Sequence, residues 1–258
     1  MPHRKSALPN GIRVVTETMP HVRSVAVGIW VETGSRMGPE PLGGISHLIE
    51  HLVFKGTASR SAEDIARAID SVGGQMDAFT AKEHTCFYVS VLDEHLPLAV
   101  GLLTDILRHP LFAAADIEKE KAVVLQEIKM VEDTPDDLIH DLFAEQIWAD
   151  HPLGRPILGR WDVVKQFDRD TVLRYFQREY TPGRIVVAVA GNAEHEQVAD
   201  LFAAGFDGWG GPTQPHRVAP PVIRPGVHTV RKTLEQVHLL VGLPGVADLG
   251  PGRYALYL

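Results

Sequence analysis

The sequence predicts an α+β fold, a mixed and mostly antiparallel sheet covered by helices on one face. Three observations point there. Residues 12–17, 25–33, 85–92 and 185–190 run or alternate in apolar residues as strands do. Residues 96–108 and 116–131 repeat their apolar positions at three and four, the period of a helix packed on one side. Turn residues stand between the strand-like runs, first at Pro9-Asn10-Gly11 and again in the polar step between residues 75–80 and 85–92.

In chain order, residues 5–8 and 12–17 flank the first turn and read as paired strands, followed by 25–33 (VAVGIWVET) with β-branched and aromatic residues at alternate positions. Gly43-Gly44 lets the backbone turn sharply into a helix, and Lys55-Gly56 supplies its stop, a cation near the C-terminus and a glycine after it. Ser61 opens the next helix, with Asp64 completing a capping box, a stripe of Ile65, Ala66, Ile69 and Val72, and Gly73-Gly74 at its end. Residues 75–80 and 85–92 form a hairpin. Helices follow over 96–108 and 116–131, the second carrying Glu118, Glu120 and Glu127 beside a stripe of Val123, Val124, Ile128 and Val131. Pro135 restarts a helix at its first position after Thr134, through Trp148, with Asp136 and Asp137 in the first turn where the helix dipole favours them. Another helix over 170–180, a strand over 185–190 and a helix over 195–204 close the first unit. From Gly208 to Pro225 the chain is dense in glycine and proline. The expected organisation is a domain over 1–209, a linker over 210–225 and, in 226–258, the truncated start of a second domain. That start holds strands at 227–232 and 236–243 and a helix opening at Arg253.

At 258 residues, with 45% hydrophobic side chains, the chain can bury a substantial core. Its 33 acidic against 25 basic residues give a net charge of −8, which disfavours a nucleic-acid partner and suits a basic peptide. Cys86 is the only cysteine, so neither an internal disulfide nor a thiolate zinc site is available. Residues 1–9 are basic but lack the apolar run of a signal peptide, and no stretch reaches the roughly 18 apolar residues of a spanning helix. The expected compartment is the cytoplasm.

The chemistry lies in residues 43–57, GGISHLIEHLVFKGT, where His47, Glu50 and His51 stand in the order H-x-x-E-H. On a helix, positions three and four apart share a face, so His47 and His51 can offer two imidazoles to one ion with Glu50 beside them. A catalytic zinc needs a third protein ligand and an open position for water, and Glu50 is then placed as the general base for that water. A solvated face carrying these residues by chance is the plain alternative. Against it, Leu48, Ile49, Leu52 and Val53 flank the polar trio and indicate a largely buried helix, where His and Glu need partners. The carboxylates of 116–131 are the natural reservoir for the third ligand.

The chain resembles the inverted-zincin metallopeptidases of the pitrilysin and insulinase clan, and most closely their bacterial mitochondrial-processing-peptidase-like members. Five blocks carry the resemblance in the family's order: GGISHLIEHLVFKGT, GGQMDAFTAKEHTCFY, EKEKAVVLQEIKMVEDTPDD, YTPGRIVVAVAGN and EQVHLLVGLPG. It implies a fold shared with the processing peptidases and a zinc-dependent endopeptidase acting on extended or presequence-like peptides. It further implies one zinc ion per catalytic domain, with Glu127 as third ligand and Glu120 assisting two helical turns earlier. By the same resemblance Ala78 and Phe79 lie on an edge strand to which an extended peptide adds. The family usually has Asn where this chain has Asp77. Phe54 matches an aromatic lining the pocket after the scissile bond, and Asp137 and Asp141 match acidic residues that receive an arginine before it. Members carry a second, similar half that closes over the first and contributes to the transition state, so a second homologous half or subunit is an expected partner.

Two other readings compete. Non-catalytic relatives serve assembly of respiratory complexes, but they usually lose the pentad. A small metal lyase acting on ribosyl-homocysteine shares an H-x-x-E-H helix and a related fold, yet needs a catalytic cysteine, whereas Cys86 falls inside a strand run.

Overall fold

The computed structural model describes residues 3–211, 213, 219–246, 250 and 252–256. Strands β1 (Arg4–Ala7) and β2 (Arg13–Thr18) pair antiparallel across the Pro9-Asn10-Gly11 turn, where Gly11 takes φ +94°. With β3 (Ser24–Val31), β4 (Gln75–Thr80), β5 (Thr85–Leu92) and β6 (Ile185–Gly191) they make one six-stranded sheet in the order β1-β2-β6-β3-β5-β4. Only the β2–β6 pair is parallel, so the sheet is mixed and mostly antiparallel, as expected. β6 therefore joins the middle of the sheet although it comes nearly a hundred residues after β5.

Register explains which face is covered. Ile29 lies opposite Phe87 on one side and Val187 on the other, and Val27 opposite Val89 and Val189. All six are buried, so two rows of apolar side chains cross the sheet on one face. The other face carries Tyr88, Ser90 and Ala190, which remain exposed. Helices α1 (Ile45–Val53), α2 (Ala62–Asp70), α3 (Leu96–Arg108) and α4 (Ala114–Asp133) follow in chain order, then α5 (Pro135–Ile147), α6 (Trp161–Val164), α7 (Arg169–Glu179), α8 (His195–Gly205) and α9 (Arg253–Leu256). α3 packs on β3 and β5 and against α8, which also covers β2; α1 packs on β4, α4 and α7. The Ser61–Asp64 capping box forms in both directions, with Ser61 Oγ accepting from Asp64 N–H at 3.1 Å.

α1 is the most enclosed helix of this layer. Leu48, Ile49, Leu52 and Val53 are at most 1% exposed, each worth on the order of 1.5–3 kcal/mol of burial. Its entry depends on Gly44, whose φ is +90° and where an added Cβ would stand 2.4 Å from the Leu158 carbonyl oxygen. Ser46 Oγ shares a hydrogen bond of 2.9 Å with Tyr175 Oη, which reaches Thr33 Oγ1 at 3.2 Å, tying α1 to α7 and to the end of β3.

Two expectations need correction, and one helix was not foreseen. Val123 is 43% exposed, so the buried stripe of α4 runs through Ile117, Val124 and Ile128 instead. The stretches 227–232 and 236–243 form no strand, and Val227, Val237, Leu239 and Leu243 are each more than 80% exposed. A lone strand without a sheet to extend is marginal in water. This stretch instead runs beside α5, with Arg224 N–H donating to the Ile147 carbonyl at 3.0 Å and His238 Nδ1 2.6 Å from Asp136 Oδ1. The four-residue α6 was too short for periodicity to reveal.

Candidate metal and catalytic site

α1 and α4 meet at the three side chains expected to hold a metal. Positions 47 and 51 are one helical turn apart, and their rings lie 4.6 Å apart between centroids. Glu127 Oε2 comes from α4 and stands 3.8 Å from both His47 Nε2 and His51 Nε2. One ligand atom from each of the three falls within 4.8 Å of the others. Glu127 Oε2 is buried with no hydrogen-bond partner among the described residues. An orphaned carboxylate oxygen facing two imidazole nitrogens fits a divalent cation, since burial without a partner is otherwise costly. Two neutral nitrogens and one carboxylate are the donor set zinc accepts while leaving a position open. Burial, with His51 beside it, lowers the His47 pKa to about 4, so His47 is neutral and available as a ligand at physiological pH.

Glu120 sits two turns before Glu127 on the same face of α4 and is buried. Its Oε2 is 3.2 Å from His51 Nδ1 and its Oε1 is 2.9 Å from Lys55 Nζ. Glu50 points to the other side of the histidines, toward β4, where Thr80 Oγ1 donates to Glu50 Oε2 at 2.5 Å. Burial raises the Glu50 pKa; Thr80 and His51 oppose that, while Asp77 and Glu127 add to it. A carboxylate so raised is a better proton acceptor than one in water.

The remaining expected residues lie around this centre in different ways. Ala78 and Thr80 face α1, whereas Phe79 points to the opposite face of the sheet, 41% exposed and edge-on to Trp30 with centroids 5.6 Å apart. Among the described residues β4 pairs with β5 alone, which leaves its outer edge open. On β4 the Ala78 N–H donates to Asp77 Oδ1 at 2.8 Å. Phe54 caps α1 half-buried, its ring 6.3 Å from that of Phe87. Asp137 and Asp141 lie one turn apart on α5, Asp137 exposed and Asp141 half-buried. Burial raises the Asp141 pKa against the opposing charge of Lys82, whose ammonium donates to the Arg155 carbonyl.

A family model described as insulinase, peptidase family M16, matches residues 13–160, more than half of the chain and a span that includes every site residue named above. The chain belongs to the insulinase family. A second model, the inactive domain of peptidase M16, matches residues 166–258. An uncharacterized zinc protease of Streptomyces coelicolor is 44% identical over 98% of this chain and 57% of its own length. The uncharacterized zinc protease YmxG of Bacillus subtilis is 43% identical over 92% of this chain and 58% of its own length. The chain thus spans a little under three fifths of the length of these two relatives. Among solved structures, a protease from Helicobacter pylori superposes with a TM-score of 0.79 over 86% of this chain and 54% of that one, at 20% identity, a likeness of fold. No helix among the described residues is long and apolar enough to cross a membrane.

For an insulinase-family chain the pentad is legible at sight, but two contacts around it are not. Thr80 could have been found from β4's alternation, which puts it on the face of Ala78 and toward α1. Lys55 looks like a helix-terminal cation in sequence, and only the approach of α4 shows that it meets Glu120.

Proposed function

We propose that the chain is the catalytic half of a zinc endopeptidase that hydrolyses extended peptides, with Glu50 as general base. The observation that carries this reading is the convergence of His47, His51 and Glu127 from two helices, with Glu50 on the same helix turned toward β4. When bound, zinc would supply a Lewis acid to polarise the scissile carbonyl and would make water acidic enough to give up a proton near neutral pH. His47 Nε2, His51 Nε2 and a Glu127 carboxylate oxygen would hold it. Glu50 would take the proton of the attacking water and pass it to the leaving amine, and Thr80 would hold one Glu50 oxygen so that the other is aimed at that water.

The substrate reading rests on β4. An extended peptide adding to its open edge would place backbone beside Ala78 and Phe79 and run past Glu50. The Ala78 N–H would then have to exchange its bond to Asp77 for a peptide carbonyl, so Asp77 acts as a stand-in for substrate. Phe54 would line the pocket after the scissile bond, while Asp137 and Asp141 would receive a basic residue before it, with Lys82 as a competing cation for Asp141. The net charge of −8 favours basic, presequence-like peptides and not nucleic acid.

The domain reading is residues 1–209 as the zinc domain, 210–225 as a linker and 226–258 as the beginning of a second, similar half. That half would close the site against water and provide donors to the transition state. An assembly role without catalysis is the second reading, and the intact His47, Glu50, His51 and Glu127 set weighs against it. The test is zinc content by elemental analysis together with cleavage of a mixture of arginine-containing peptides. Near-stoichiometric zinc, and cleavage that stops with a chelator and returns with zinc, is expected. A protein that binds zinc yet cuts no peptide at its native length would favour the assembly reading.

A further inference from the structure

We propose that Lys55 is a positioning residue for the metal site, acting through Glu120 on His51; the inference rests on the reading of His47, His51 and Glu127 as ligands. α1 ends at Val53, and Lys55 lies just beyond it, its N–H donating to the Leu52 carbonyl at 3.1 Å. Its ammonium does not return to the helix. It reaches across to α4 and stands 2.9 Å from Glu120 Oε1, while the other oxygen of that carboxylate is 3.2 Å from His51 Nδ1. The Glu120 side chain is only 9% exposed, against 37% for Lys55.

Each oxygen of Glu120 thus has its own partner, and the two partners come from the same stretch of chain, four residues apart. A carboxylate held at one oxygen alone can rotate about its last bond and leave the imidazole; held at both, it is fixed in plane and position. With Nδ1–H donating to Glu120, the lone pair of His51 is on Nε2, the atom that faces Glu127. A buried carboxylate facing only a neutral ring would also lack a countercharge, and Lys55 provides it. Lys55 therefore acts on ring orientation and tautomer without touching metal or substrate. A bridge that merely joined α1 to α4 would affect folding alone.

Zinc affinity separates these roles. The dissociation constant is measured by competition with a chromogenic chelator for wild type, Lys55→Met, Lys55→Arg, Glu120→Gln and the Lys55→Met/Glu120→Gln pair. Unfolding midpoints of the metal-free proteins are followed in parallel. Loss of an outer partner of a ligating histidine typically weakens metal binding about 10–100-fold. Lys55→Met is expected to fall in that range whatever its cost to the metal-free midpoint, and Lys55→Arg to recover most of the affinity. The double variant should bind no more weakly than Glu120→Gln alone, because Lys55 acts only through that carboxylate. Wild-type affinity in Lys55→Met, or independent losses that multiply in the double variant, overturns the proposal while leaving the metal reading intact. Absence of stoichiometric zinc in the wild type overturns the metal reading and this inference with it.

Discussion

Thr80 Oγ1 donates to Glu50 Oε2 at 2.5 Å, a hydrogen bond that couples the H-x-x-E-H helix to strand β4. A hydroxyl at this position decides where the carboxylate points. Thr80 stands opposite Thr85 in the β4–β5 ladder, so the sheet fixes the position of the residue that carries this hydroxyl.

Thr80→Val keeps the shape and removes the donor. A hydrogen bond to a charged group is worth about 1.5–3 kcal/mol, so kcat should fall roughly 10–100-fold with zinc content unchanged. Steady-state kinetics beside elemental analysis checks it, and a fall in zinc equal to the fall in rate would assign Thr80 to folding.

His47→Ala, His51→Ala and Glu127→Ala should each lose tightly bound zinc, because three ligands leave none to spare. Elemental analysis after gel filtration is the measurement. Near-stoichiometric zinc in Glu127→Ala would place the third ligand elsewhere, with Glu120 the next carboxylate to examine.

Much of this was legible in the sequence because local rules and tertiary context agree there. The capping box at Ser61, Pro135 at a helix start and the alternation of β5 each specify their own element, and the structure contains all three. The pentad is also local, since 47, 50 and 51 share a helix whatever packs on it. What could not be read is how separate elements approach. Lys55 meets Glu120 only because α4 crosses the end of α1, and Val123 turns outward because α4 presents a narrower face than its valines suggest. The alternation in 227–243 had the period of a strand, but period alone supplies no neighbouring strand to pair with.

The metal-free protein should lose stability in mild acid through His47. Burial, with His51 beside it, lowers its pKa from 6.5 to about 4 in the folded state. The unfolded chain therefore takes up the proton first. This contribution is complete above pH 6.5 and is lost as the pH falls from 6.5 toward 4, by at most about 3 kcal/mol. Denaturant midpoints across that window should fall more steeply for wild type than for His47→Gln. Parallel curves for the two proteins would contradict the assignment.

Cys86 should be inert in the native protein. It is 2% exposed, and burial pushes its thiol up to about 12, leaving almost no thiolate at pH 8. A chromogenic disulfide reagent should titrate less than a tenth of an equivalent in native protein and one equivalent in denaturant. Fast native labelling would reopen the cysteine-dependent lyase reading.

If Glu50 moves the proton at a bound zinc, Glu50→Gln keeps the metal and loses the chemistry. The substitution removes the base but spares His47, His51 and Glu127. Zinc content and peptide cleavage are measured on the variant and the wild type at the protein's native length. The expected result is equal zinc in both and a loss of cleavage of at least about a hundredfold in the variant, the lower end of what general acid–base catalysis supplies. Cleavage by Glu50→Gln at the wild-type rate, with zinc bound, would contradict the account.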